Sequence, residues 1–219
     1  MQFPGHTARR AAAGLARICL ALAVHVVTAV RPIWRAGGPA RGPRVYFANH
    51  TSNADTALIW TALPPRLRRG VRPVAARDYW DTSRLRRFVA RDVLDAVLID
   101  RDGETPQGDP VARMTRALDA GSALILYPEG RRNDGGGAPL PFRTGLYHLA
   151  VARPEVDLVP VWIENLNSVL PKGEVVPIPL VCTVTFGAPI RRHPEEDRDA
   201  FLARARETLA GLMPAKATG

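Results

Sequence analysis

The stretch "RVYFANHTSNADTALIW", residues 44–60, changes character twice within a few residues. Arg44 to Ala48 reads as a first core strand, Asn49 opens a polar turn, and "ADTALIWTAL" continues as a helix that must stop at Pro64-Pro65. Strand-to-helix turns are where α/β proteins hold ligands and reactive side chains, because the scaffold is rigid and the turn is open to solvent. This turn carries His50 and Asp55.

On one continuous helix, residues 50 and 55 would stand ~140° apart around the axis at about 100° per residue, and the two side chains would not meet. With His50 in the turn and Asp55 in the first helical turn, the carboxylate can fold back onto the imidazole. Such a pairing fixes the histidine tautomer and raises its basicity, which a general base for an alcohol or water needs. The plainer alternative is that Asp55 or Asn53 only caps the helix and His50 is an ordinary loop residue.

The rest of the chain alternates between the two element types. "VRPVAA" reads as a strand, "YWDTSRLRRFVARDV" as a basic amphipathic helix, and "AVLIDR", residues 96–101, as an apolar strand ending on a charge. Asp109 and Pro110 look like the cap and first position of a helix that stops near Gly121. A strand at "SALILYPEG", a helix at "TGLYHLAVA" and strands at "DLVPVWIE" and "CTVTFGAPI" follow. A last helix opening at Pro194 repeats Phe201, Ala205, Leu209 and Leu212 at helical spacing. The expected fold is a single α/β domain, residues 44–219, with a mixed, largely parallel sheet covered by helices. Residues 1–43 form a basic N-terminal arm.

That arm holds Arg9, Arg10, Arg17, Arg31, Arg35 and Arg41 and no acidic residue, the first in the chain being Asp55. Its uncharged run from Ile18 to Val30 would make about 20 Å of helix, short of the ~30 Å core of a bilayer. A membrane-associating helix lying in the interface is the expectation, with a tilted span reaching back past Arg17 as the second reading. A signal peptide and a helix packed on the domain complete the alternatives. The whole chain of 219 residues has a net charge of +9, and Lys172 and Lys216 are its only lysines. Arginine suits bidentate recognition of phosphate and carboxylate, so an anionic partner is expected, either nucleic acid or a phospholipid surface. Cys19 and Cys182 both lie in apolar runs and suggest neither a disulfide framework nor a zinc site.

A second polar cluster follows the strand at "SALIL". In "YPEGRR", Glu129, Gly130, Arg131 and Arg132 occupy the exit turn, where glycine permits close approach and adjacent arginines offer forked donors to a phosphate. Arg101 also stands at a strand end. In an open α/β sheet the carboxyl ends of the strands share one edge, so His50, Arg101 and Glu129 are expected to converge on one crevice. The alternative is a solvated loop with ordinary surface arginines.

"NHTSNAD", "VLIDR" and "YPEGRR", followed by "FRTGLYHLA" and "LVPVWIE", together resemble the glycerolipid acyltransferase family that includes 1-acylglycerol-3-phosphate acyltransferases. The resemblance runs from about Val45 to Ile190. Asn49, His50 and Asp55 match the family's NHxxxxD block, and Arg101 ends its second block. Glu129, Gly130 and Arg132 match its EGTR block, with Arg131 in place of threonine, and Pro160 matches its later proline. Arg143 stands where lysine is common.

The resemblance implies that His50, oriented by Asp55, deprotonates the free hydroxyl of a lysophospholipid, which attacks the thioester of acyl-CoA or acyl carrier protein. No acyl-enzyme, metal or cofactor is expected. Arg101, Arg131 and Arg132 would hold the acceptor phosphate, with Glu129 fixing the arginines or touching the glycerol, and amides near the first turn would stabilise the oxyanion. The basic arm and the helix around Arg84, Arg86, Arg87 and Arg91 would dock on an anionic leaflet at the cytoplasmic face. Competing readings are another lysolipid acceptor (a lyso-ornithine lipid or lysophosphatidylethanolamine), a hydrolase, and a non-catalytic basic membrane protein. No platform of interleaved aromatics supports a nucleic-acid partner.

Overall fold

The computed structural model describes residues 4–100, 109–134, 137–166 and 181–214. Among these, seven strands form one sheet: β1 (Arg31–Trp34), β2 (Arg44–Ala48), β3 (Val71–Ala76), β4 (Val97–Ile99), β5 (Ala123–Leu126), β6 (Asp157–Glu164) and β7 (Thr183–Phe186). Their order is β1-β7-β6-β2-β5-β3-β4. The block from β6 to β4 is parallel throughout, β7 runs antiparallel to β6, and β1 is parallel to β7. The mixed, largely parallel sheet expected from the alternation of elements is therefore present.

Its centre follows from the apolar runs. Every residue of β2 from Val45 to Ala48 and all of β5 are buried, as strands covered on both faces must be. With period two, Val45 and Phe47 face one core together with Leu124 and Leu126. That core is closed by α6 (Pro110–Asp119), α7 (Gly145–Ala152) and α8 (Arg198–Ala210). Tyr46, Ala48 and Ile125 face the other, against α2 (Asp55–Ala62) and α1 (Pro4–Thr28). Fully burying a side chain such as Phe47 or Ile125 contributes about 1.5–3 kcal/mol.

Three elements differ from their sequence readings. Residues 31–34, assigned to the N-terminal arm, form edge strand β1 and pair with β7, where Trp34 stacks on Phe186 at 3.9 Å between ring centres. Arg31 to Ile33 are exposed, so the stretch shows none of the alternation that marks a strand. The basic helix expected over residues 79–93 is broken into α4 (Arg77–Trp80), α5 (Arg84–Phe88) and a π-helical turn (Val89–Val93). The break falls at Ser83, whose hydroxyl accepts the amide of Arg86 at 3.2 Å and starts a new helix. The last helix opens at Asp197 rather than Pro194, because the Asp197 carboxylate accepts the amide of Ala200 at 2.8 Å. Residues 64–68 add a short turn, α3 (Pro65–Arg68).

Helix α1 is 25 residues long, about 37 Å, against the ~20 Å expected from its apolar run. By length and composition Thr7–Thr28 suffices to cross a membrane. One face of α1 packs on the domain. Arg17, next to the apolar run of this helix, donates to the carbonyls of Val93 at 2.7 Å and Asp92 at 3.0 Å, which close the π-helical turn. The opposite face leaves Leu15, Ile18, Leu22 and Val26 each at least 59% exposed.

Candidate active site

Parallel pairing of β2 with β5 sets Phe47 beside Leu126, so the turns after the two strands leave the sheet side by side. The first carries His50 and Asp55, the second Glu129 to Arg132.

His50 is held on four sides. Its Nδ1 lies 2.7 Å from Asp55 Oδ2. Its backbone amide donates to Glu129 Oε1 at 3.0 Å, and its carbonyl accepts the amide of Asn133 at 2.7 Å. The Tyr127 ring stacks on the imidazole, 4.3 Å between centres and 21° from parallel. The side chain nonetheless stays 23% exposed, so a substrate can reach it.

Asp55 does not cap its own helix. The N-cap residue is Ala54, without a side-chain cap, and the Asp55 carboxylate turns backward. Its Oδ2 accepts the amides of Thr51 at 2.7 Å and Ser52 at 2.9 Å in addition to the His50 ring. Oδ1 is buried with no hydrogen-bond partner among the described residues, and the residue is fully buried. One oxygen therefore takes three donors, and the carboxylate's unneutralised charge sits beside the imidazole. That arrangement fixes the orientation and tautomer of the ring, leaving Nε2 as the nitrogen that faces outward. The capping alternative raised by the sequence is excluded by this geometry.

Glu129 is buried and bonded at both oxygens, Oε1 to His50 and Oε2 to the amide of Leu140 at 3.0 Å. It straps the His50 turn to the loop beyond the second cluster, where the sequence reading had it fixing arginines or touching glycerol. Burial pushes its carboxyl above the usual range, only partly opposed by the two amide bonds. Tyr127 is pushed well above the usual phenol range by burial first and by the Asp55 charge second, so its hydroxyl stays protonated. It is 3.0 Å from Thr56 Oγ1.

Gly130 has φ +69°, and a Cβ there would collide with the side chain of Arg143. Arg143 also donates its amide to the carbonyl of Pro128 at 2.8 Å, so it covers the exit turn. Arg131 and Arg132 are exposed, and neither pairs with a carboxylate among the described residues. The structure thus brings His50, Asp55, Glu129 and Gly130 together with the two arginines following. Arg101 lies outside the described residues.

The oxyanion donors expected near the first turn are largely committed elsewhere. The amides of His50, Thr51 and Ser52 go to carboxylates, that of Ala54 to Ser52 Oγ and that of Asp55 to the Ser52 carbonyl. Asn53 alone in this turn keeps an amide without an acceptor among the described residues.

Sequence reasoning left out Tyr127, Asn133 and the role of Asn49. Asn49 joins β2 to β6 through a pair of bonds, Nδ2 to the carbonyl of Ile163 at 3.0 Å and Oδ1 from its amide at 2.8 Å. Asn49 had a signal, standing next to the histidine at the strand end. Tyr127 and Asn133 had none, since their role depends on two turns lying together.

A buried aspartate, a reachable histidine and a glycine-arginine turn at adjacent strand ends define the site of a group-transfer family. The description "Acyltransferase" fits a family model matched by residues 24–164, and the chain belongs to that family. It is 29% identical over 134 residues to the 1-acyl-sn-glycerol-3-phosphate acyltransferase of Salmonella typhimurium, covering 58% of this chain and 49% of the relative. To the human 1-acyl-sn-glycerol-3-phosphate acyltransferase alpha it is 30% identical over 141 residues, 62% of this chain and 46% of that one. The matched region thus spans about half the length of these curated relatives. The crystal structure of the Thermotoga maritima 1-acyl-sn-glycerophosphate acyltransferase shares the fold, with TM-score 0.69 at 16% identity over 96% of this chain and 82% of that one.

Proposed function

We propose that the protein moves a fatty acyl group from a thioester, acyl-CoA or acyl carrier protein, to the free hydroxyl of a lysophospholipid, with 1-acylglycerol-3-phosphate as acceptor and phosphatidic acid as product. The observation that carries this is the His50–Asp55 pair, 2.7 Å apart, with the carboxylate buried and the imidazole still reachable. With Nδ1 committed to Asp55, Nε2 takes the proton of the acceptor hydroxyl. The oxygen attacks the thioester carbonyl, the carbon–sulfur bond breaks, and the departing thiolate receives the proton from the imidazolium. No acyl-enzyme forms, and the step calls on no metal or cofactor.

Arg131 and Arg132, exposed beside the pair, suit a phosphate on the acceptor. A matching role for Arg101 rests on the resemblance alone. The names of the relatives support lysophosphatidate as acceptor, and Arg131 in place of a small hydroxyl favours one second reading, another lysolipid head group. The exposed apolar face of α1 and the arginines of α5 support docking of the domain on an anionic membrane surface, and the use of acyl thioesters supports the cytoplasmic face.

The test is transfer from labelled acyl-CoA to lysophosphatidate in vesicles, wild type against His50→Ala. Acceptor-dependent product that falls about 10²–10⁴-fold in the variant is expected. Thioester cleavage indifferent to acceptor would mean a hydrolase, and activity indifferent to His50 would remove the proposal.

A further inference from the structure

The hydrogen bond from Nδ1 to Asp55 holds one edge of the His50 imidazole but not its plane. Such bonds prefer angles above about 150° and weaken steeply only below about 120°, so a ring tied at one edge keeps freedom to tilt. A second element takes up that freedom. Tyr127, the first residue beyond β5, lays its ring on the imidazole with 4.3 Å between centres and 21° between planes. The phenol is itself tied, its hydroxyl lying 3.0 Å from Thr56 Oγ1. Asp55 and Thr56 are consecutive in the first turn of α2, so one helical turn holds both the edge of the base and the tip of the ring that covers its face.

The hydroxyl of Tyr127 is not placed for chemistry of its own. Burial and the Asp55 charge keep it protonated, and Thr56 is its partner, so what the residue offers His50 is the face of its ring. The same turn grips His50 at the backbone, where Glu129 accepts its amide and the amide of Asn133 donates to its carbonyl. With Nδ1 turned to Asp55 and one face on the phenol, the 23% of the side chain that stays exposed is left to the other face and the Nε2 edge. A base works only when aimed, and catalytic groups need placement within roughly 0.5 Å and 10–20°.

We propose that Tyr127 is a positioning residue for His50: its ring face, pinned through Thr56, holds the imidazole plane so that Nε2 is aimed at the acceptor hydroxyl. The inference rests on the acyltransferase reading and deepens it, adding a member from the second turn to the His50–Asp55 pair. It assigns the role to the ring and not to the hydroxyl, which separates it from a role for Tyr127 as proton donor. A misaimed base is felt in the transition state and not in substrate binding, so the signature falls on kcat with KM unmoved.

The experiment compares Tyr127→Leu, which removes the ring, and Tyr127→Phe, which restores it without the hydroxyl, with the wild type in acyl transfer to lysophosphatidate at matched folded protein. In Tyr127→Leu kcat should fall about 10–100-fold while both KM values stay within about twofold, and Tyr127→Phe should recover that loss to within about threefold of wild type. A second readout is the proton NMR signal of the His50 ring in the full chain in detergent, assigned by its loss in His50→Ala. The ring current of a stacked phenol displaces it to high field in the wild type and in Tyr127→Phe, and Tyr127→Leu should abolish the displacement. Equal loss of kcat in both variants, wild-type kcat in Tyr127→Leu, or a loss carried by KM overturns the proposal. So does a wild-type His50 signal without the displacement, a result that stands even where Tyr127→Leu fails to fold. A displaced signal that needs the ring, in a protein that transfers no acyl group, sustains the pinned ring pair and removes only the acyltransferase reading.

Discussion

The turn at His50 and the arginine-lined edge at β4 use polar groups in opposite ways. Around His50, the ring, the amide and the carbonyl of one residue all have internal partners, and Asp55 Oδ2 takes three donors. At the edge, Arg77 and Arg91 share Asp81, while Arg116, among the described residues, donates to a carbonyl of its own helix. A base must stand in one place with one tautomer, so its surroundings are closed. At the edge Arg91 and Arg116 stay open to solvent.

The sharpest way to break the closed region is Asp55→Asn. Asparagine retains one acceptor oxygen but brings an amide group against donors, so the imidazole loses its fixed tautomer. A fall of about 10²–10³ in kcat with acceptor KM little changed is expected from steady-state kinetics. Stability should also drop by about 1–3 kcal/mol in urea unfolding, for donors left unmet at Thr51 and Ser52.

Gly130→Ala acts on the second turn. The positive φ and the collision with Arg143 should together cost about 1–3 kcal/mol, again read from urea midpoints. In the double variant with Arg143→Ala, the part owed to the collision is relieved and the part owed to φ persists. An equal loss in both backgrounds would show that Arg143 does not press on this turn.

A smaller effect comes from Glu129. Because burial raises its folded carboxyl pKa above the ordinary 4.5, the folded state binds its proton more tightly than the unfolded chain. Its ionisation therefore removes stability as pH rises from about that value through the folded pKa. Glu129→Gln lacks this term, so the stability difference, wild type minus variant, should decline across that window and then level. A difference that stays flat with pH would mean that the two amide bonds offset the burial completely.

The candidate site was legible in part. "NHTSNAD" disclosed a base and its orienting acid because both reside in one local turn, and strand-helix alternation disclosed the sheet. Arg131 and Arg132 were visible as cations after a strand, and the structure leaves them exposed. Glu129 was visible as a site residue, but its partners were not, since the amides of His50 and Leu140 are 79 and 11 positions away. β1 was missed because an exposed edge strand carries no alternating pattern. The broken helix after β3 was missed because basic residues recur on both sides of the break, while the side-chain cap at Ser83 that divides them leaves no periodic trace.

By itself the amino-acid sequence determined what local chemistry can specify: which runs are strands and helices, which turn bears the histidine and aspartate, and the sign of the charge that surrounds them. The tertiary structure decided which turns meet. Tyr127 stacks on His50, Asn133 holds its carbonyl, and five arginines from β3 to α6 line one recess, because the order β2-β5-β3-β4 places those segments side by side. Strand order is set by how two apolar faces are buried at once, and that is a property of the whole chain rather than of any stretch within it.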